Sequence, residues 1–187
     1  RRIRGNRAQL ISSFDAACSA SLRFGARIIK ADGWKGWQKM RVLIVEDERR
    51  LADALCQIMR EQKYGVDAVY DGRDGLDYAM SGQYDVVVLD PPAFTKAHAN
   101  MASACRGYKE IALSAMRLLP AGGVLATHSC SYHMPEEVFV NTVLSAAQDL
   151  HRQVRVITLR RQDIDHPVLA GYPESHYLKS LWLQMLD

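Results

Sequence analysis

Four stretches of this 187-residue chain carry side chains able to do chemistry, and each stands where an apolar run stops. Val42-Leu43-Ile44-Val45 runs into Glu46-Asp47, and Val86-Val87-Val88-Leu89 runs into Asp90-Pro91-Pro92. Val124 to Thr127 leads to Ser129-Cys130-Ser131, and Asp71 follows the short run Val66 to Tyr70. Short apolar runs rich in β-branched residues read as buried parallel strands. Three groups of carboxylates and one thiol are therefore expected at strand ends. A cysteine there is a nucleophile when ionised and a small packing residue when buried. The remaining cysteines, Cys18, Cys56 and Cys105, form no CxxC pair with it or with each other. That scatter argues against a zinc site and a disulfide framework, and implies a reducing, cytoplasmic setting.

The elements that must position these residues alternate along the chain. Leu51, Ala54, Leu55, Ile58 and Met59 recur at helical spacing, which predicts an amphipathic helix over 49–62. Gly65 separates it from the strand Val66–Tyr70, and a weak helix follows over 73–81. Asp85 to Leu89 is a third strand, ending at Asp90. A helix from Gly107 to Leu119 stops at Pro120 and the Gly122-Gly123 turn. Pro135-Glu136-Glu137 opens another helix, to about Leu150, with proline early and acids in the first turn. Val154–Leu159 and Tyr177–Met185 close the pattern as strands, the last expected to be antiparallel. The alternation predicts a single doubly wound, mostly parallel α/β sheet of Rossmann or flavodoxin type.

Composition limits the function classes. No apolar run approaches the roughly 20 residues that a membrane helix requires, so no membrane partner is expected. The net charge of +3 is unevenly spread. Residues 1–39 carry nine Lys/Arg against Asp15 and Asp32, whereas residues 40–187 carry 15 Lys/Arg against 19 acids. The basic stretch is expected to be a solvated leader; contact with RNA through its charge, Trp34 and Trp37 is the alternative. Trp34-Lys35-Gly36-Trp37 back-translates to a purine-rich stretch shortly before Met40, as a bacterial ribosome-binding site would read. Residues 1–39 are accordingly expected to be translated upstream sequence.

Residues 40–90 resemble the receiver domain of bacterial response regulators, through VLIVEDE (42–48), LADALCQIMRE (51–61), the YDG turn (70–72) and YDVVVLD (84–90). The resemblance implies Mg²⁺ held by Glu46, Asp47 and Asp90, with Asp90 taking a phosphoryl group from a histidine kinase. Hard oxygen ligands suit Mg²⁺, which offsets charge on the transferring group. After Asp90 the receiver pattern stops: Thr127 stands near the expected strand-four hydroxyl, but no lysine ends a fifth strand.

Residues 85–187 resemble the carboxyl-terminal half of the S-adenosylmethionine-dependent methyltransferases that modify cytosine C5 in large-subunit ribosomal RNA. The shared motifs are DPPAFTK (90–96), RGYKEIALSAMRLLPAGGVLATHSCS (106–131), DHPVL (165–169) and PE..YLK (173–179). The resemblance implies Cys130 as the catalytic nucleophile and Asp90, Pro91 and Pro92 as the loop facing cofactor and base. A thiolate adding at C6 is what turns cytosine C5 into a nucleophile. Asp71 stands where a ribose-binding acid would. The glycine-rich cofactor turn after the first strand is missing, replaced by Glu46-Asp47-Glu48.

Two families thus appear joined near Asp90, at a buried strand that both end with apolar residues and Asp. The functional expectation is a protein of the RNA methyltransferase family with its cofactor half replaced by a receiver-like unit. The alternatives are a signalling receiver phosphorylated on Asp90, and a recombined or designed chimera without native activity. His128 and His133 flank Cys130, His166 sits in Asp-His-Pro, and Tyr108-Lys109 is expected near a helix start; for these a structural role competes with a site role.

Overall fold

A computed structural model describes residues 40–82, 84–94, 100–162 and 166–187. The expectations for residues 1–39, for Thr95 and Lys96, and for Asp165 lie outside the described residues. The elements run β1 (Arg41–Glu46), α1 (Arg49–Glu61), β2 (Gly65–Val69), α2 (Gly72–Ser81), β3 (Val86–Asp90), α3 (Met101–Leu118), β4 (Val124–Ser129), α4 (Glu136–Asp149), β5 (Val154–Arg160), a 3-10 turn (Pro173–Ser175) and β6 (Lys179–Met185).

One six-stranded sheet carries the order β2-β1-β3-β4-β6-β5. The first four strands pair in parallel, and β6 inserts antiparallel between β4 and β5. The expected doubly wound sheet with an antiparallel last strand is what the chain forms. The run Val86 to Asp90 is buried throughout, as the central strand of a sheet covered on both faces must be.

Alternate residues of each strand feed separate cores. Leu43, Val87, Leu89, Leu125, Leu181 and Leu183 pack with α2, α3 and α4 on one face. Val42, Ile44, Val86, Val88, Ala126 and Trp182 lie on the other with Leu51, Leu55, Cys56 and Met59 of α1. The helix after β1 and the helix after β3 therefore lie on opposite faces. This divergence opens a crevice between the two strand ends, where α/β sheets bind ligands.

The helix expected from Gly107 begins at Met101, six residues earlier. Gly107 reads as a helix start because glycine disfavours helix interiors. Here a Cβ at that position would meet the Phe94 ring at 3.3–3.4 Å, so the glycine makes room for an aromatic ring against the helix. Tyr108 is consequently mid-helix and fully buried, and Lys109 pairs with Asp149 at 2.8 Å. Neither is at a solvated helix start. Among the described residues no helix is long and apolar enough to cross a membrane.

Candidate active site at the carboxyl ends of the strands

The carboxylates expected at strand ends converge. Glu46 and Asp90 are register partners across β1 and β3, and both are only 5% exposed. Buried acids favour the neutral form because a charge loses its hydration there. Burial first, then the neighbouring Asp90 and Asp47, pushes Glu46 up to about 8, although the Glu48 N–H donates to its Oε1 at 2.8 Å. Burial and Asp47 push Asp90 up to about 7, and its Oδ2 has no hydrogen-bond partner among the described residues. The site thus presents acids that still carry protons near neutrality.

The expected metal cluster does not assemble. Among the described residues no group of three His, Cys, Asp or Glu side chains is arranged to hold a metal ion. Glu46 turns one oxygen back onto its own turn, and Asp47 is exposed beside it. Among the described residues the parallel fifth strand of a receiver has no counterpart, since β4 is flanked by antiparallel β6.

A cleft of about 490 Å³ opens beside these acids. Leu43, Val45, Leu89 and Phe94 form apolar wall, Ile111 and Leu118 come from α3, and Glu46, Asp47, Asp71, Asp90, Pro91 and Pro92 stand along it. Its volume and mixed lining are those of a small-molecule site. Asp71 caps α2, its Oδ1 accepting from the N–H groups of Arg73 and Asp74 at 2.9 Å each. Part of that carboxylate is therefore committed to the fold.

Cys130 follows β4 directly and is half-buried. Burial raises its thiol above the usual range and Asp90 adds to this; a backbone N–H and Lys179 act the other way. The two residues singled out from separate motifs are thus electrostatic neighbours at adjacent strand ends. Around them the turn is rigidly tied. Tyr108 donates its hydroxyl to Ser129 Oγ at 2.9 Å, and its ring stands edge-on to Phe94 (4.7 Å between centroids) and Phe139 (5.3 Å). His128 faces away from this cleft, on the α1 side; burial pushes it down to about 4, and its Nε2 lacks a partner among the described residues. His166 Nδ1 bonds the Tyr177 hydroxyl at 2.9 Å, a structural tie.

Lys179 was not among the expected site residues. It is 4% exposed, and its Nζ donates to the carbonyls of Ser131 and Met134, both in the turn after Cys130. One signal for it exists in the sequence: Lys179 shares the two-residue period of Leu181, Leu183 and Met185, which places a lysine on a buried strand face.

This sheet order is a Rossmann-like α/β fold. A methyltransferase, SMU.776, complexed with SAH superimposes with a TM-score of 0.58 at 14% identity, and a SAM-dependent methyltransferase from Streptococcus mutans with a TM-score of 0.58 at 16% identity. They cover 84% of this chain and 47% and 46% of theirs. Trm5b from Pyrococcus abyssi follows at 0.51 and 11% identity, over 87% of this chain and 48% of its own.

In sequence, the chain is similar to ribosomal RNA large subunit methyltransferase I. The Pseudoalteromonas atlantica protein is 46% identical over 111 residues, and the Aeromonas salmonicida protein 45% over 106. These matches take 59% and 56% of this chain but only 28% and 27% of the relatives, a span about the size of residues 85–187. The chain therefore spans little more than a quarter of the curated relatives it matches. No family model matches it.

Proposed function

We propose that this chain is derived from an RNA cytosine-C5 methyltransferase of ribosomal RNA, keeping the thiol half of the site while a receiver-like unit stands in place of the cofactor-binding turn. The observation that carries this reading is the neighbourhood of Cys130 and Asp90 at the ends of paired strands, with Asp90 also lining a cleft. The identity of up to 46% over more than half the chain supports it from outside the structure.

The arrangement suits thiol addition to a pyrimidine. A Cys130 thiolate would form a bond to C6 as the C5–C6 π pair moves into the ring, and Asp90 still holds a proton to deliver up to about pH 7. The base has to leave any stack to reach the cleft, where Phe94 offers an apolar face. Protonation of C5 from solvent, loss of the original C5 hydrogen as a proton to solvent and expulsion of the thiolate from C6 return the base with its C5 hydrogen exchanged. The test is release of deuterium from [5-²H]cytidine in ribosomal RNA fragments. Wild-type protein should accelerate it and Cys130→Ser should not; release no faster than in buffer would sink the thiol reading.

S-Adenosylmethionine supplies a methyl group when bound to enzymes of this kind. The cleft volume and Asp71 at its rim suit a nucleoside. The methionine end does not fit: Glu46, Asp47 and Glu48 occupy the turn where backbone must approach a carboxylate, and Asp47 would repel it. Calorimetric titration with S-adenosylmethionine should be silent, and micromolar binding would restore the cofactor to the reading.

A signalling receiver is the second reading, favoured by the pairing of Glu46 with Asp90. A histidine kinase would be the partner, Mg²⁺ the metal and Asp90 the phosphoacceptor. The burial of Asp90 and the unassembled metal cluster weigh against it. Mg²⁺-dependent labelling by acetyl phosphate that vanishes in Asp90→Asn would bring it forward.

A further inference from the structure

We infer that Lys179 is a positioning residue for the Cys130 thiol, pinning the turn that follows Cys130 to the start of β6 and holding a positive charge against the strand end that carries it. The inference rests on the reading of Cys130 given above.

Lysine is almost never fully buried without a partner, because its ammonium loses its hydration. Lys179 is buried at the start of β6, an inner strand, opposite Ser129 in the β4–β6 register, one residue from Cys130. Its hydrogen bonds run to two backbone carbonyls, Ser131 and Met134 (2.8 Å to the latter). Both carbonyls belong to the turn by which the chain leaves Cys130 and enters α4. A neutral donor would tie that turn with less desolvation, so the retained ammonium calls for a charge to act on.

The charged groups around the pair identify that charge. Asp90 and Glu46, from the ends of β3 and β1, oppose ionisation of Cys130; Lys179 is the cation favouring it. Tyr108, from α3, also faces Cys130. On its other side Lys179 faces Glu136, at the start of α4. That carboxylate is engaged in a two-pronged pair with Arg161 at 2.7 and 2.9 Å and also feels His176. Burial draws the Lys179 ammonium down to about 8, leaving it charged at neutral pH. Two acids beside the thiol and one buried lysine thus set its ionisation between them.

The experiment is peptide-resolved alkylation of the whole chain with iodoacetamide across a pH series, with Cys105 as the internal control. A neighbouring opposite charge moves a titration by about one unit or more. Lys179→Met should therefore slow Cys130 alkylation about tenfold at neutral pH and shift its midpoint upward, with Cys105 unchanged. Lys179→Arg, which keeps the charge, should stay near wild type. A Lys179→Met profile that overlays wild type overturns the inference, as does a Lys179→Arg profile displaced as far as Met. If Lys179→Met loses its cooperative melt, Lys179→Gln is compared with Lys179→Arg, and identical profiles for these two overturn it. The C5-exchange assay is read separately. Absent exchange with a Lys179-dependent thiol removes the pyrimidine chemistry and leaves the lysine–thiol pair standing.

Discussion

The thiol region and the carboxylate-lined cleft are built very differently. On the thiol side, α3 and α4 bury Tyr108, Ala112, Ala115, Met116, Phe139, Val143, Ala146 and Ala147 against the sheet, and every one is at most 5% exposed. On the carboxylate side, α2 buries only Gly75 and Ala79, while Leu76, Tyr78 and Met80 face solvent. Gly75 itself sits against β1, where a Cβ would come within 3.1 Å of Val45. A short helix lying close to the sheet contributes few side chains, and the cleft lies between it and α3. The thiol is therefore held by packing, and the acids are left at the edge of a cavity whose other wall is thin.

The largest expected effect tests the packed side. Phe139→Ala removes a fully buried ring that also supports Tyr108, and should cost about 3–5 kcal/mol in chemical denaturation. A loss below about 1 kcal/mol would mean that α4 is not the firm wall described.

Next in size is the pH response of the acid side. The folded pKa of Glu46 is raised from 4.5 to about 8, so the folded state holds its proton more tightly than the unfolded state. Its contribution is fully present below the unfolded value and is lost as pH rises through about 8. Glu46→Gln, which cannot ionise, should lose less stability in denaturation than wild type between pH 5 and pH 8.5, a gap on the order of 4 kcal/mol. Parallel curves for the two proteins would place Glu46 in water. His128 acts with the opposite sign, being drawn down to about 4, and costs stability as pH falls below about 6.5.

Smaller changes sharpen the contrast at α2. Asp71→Ala removes two hydrogen bonds to the first turn and should cost about 1 kcal/mol, with Asp71→Asn or Ser recovering most of it. Met80→Ser, on the exposed face, should shift stability by no more than about 0.5 kcal/mol. A larger loss there would show that something covers α2 in solution.

Much of this arrangement was legible from residues. Apolar runs ending in Glu46, Asp90 and Ser129-Cys130 gave the strands, and strand ends on one edge of a parallel sheet must neighbour one another. Helix boundaries were less legible: Gly107 was read by its propensity, and only the Phe94 ring against it explains a glycine inside α3. The metal expectation followed from the receiver resemblance, which is silent about rotamers, and Glu46 bends its carboxylate back to the Glu48 N–H. Lys179 was missed because a lysine near a strand end reads as a solvated terminus until its carbonyl partners, 45 and 48 residues away, are known.

By itself the sequence determined the alternation of strands and helices, the strand ends that carry acids and thiol, and the absence of glycine after β1. Those are properties of local pattern, set by side-chain period and backbone freedom. The tertiary structure decided which of the acids are buried enough to keep their protons, that β6 enters between β4 and β5, and that Lys179 reaches the turn beside Cys130. Burial and long-range pairing depend on what the rest of the chain places alongside a residue, and no local pattern carries that information.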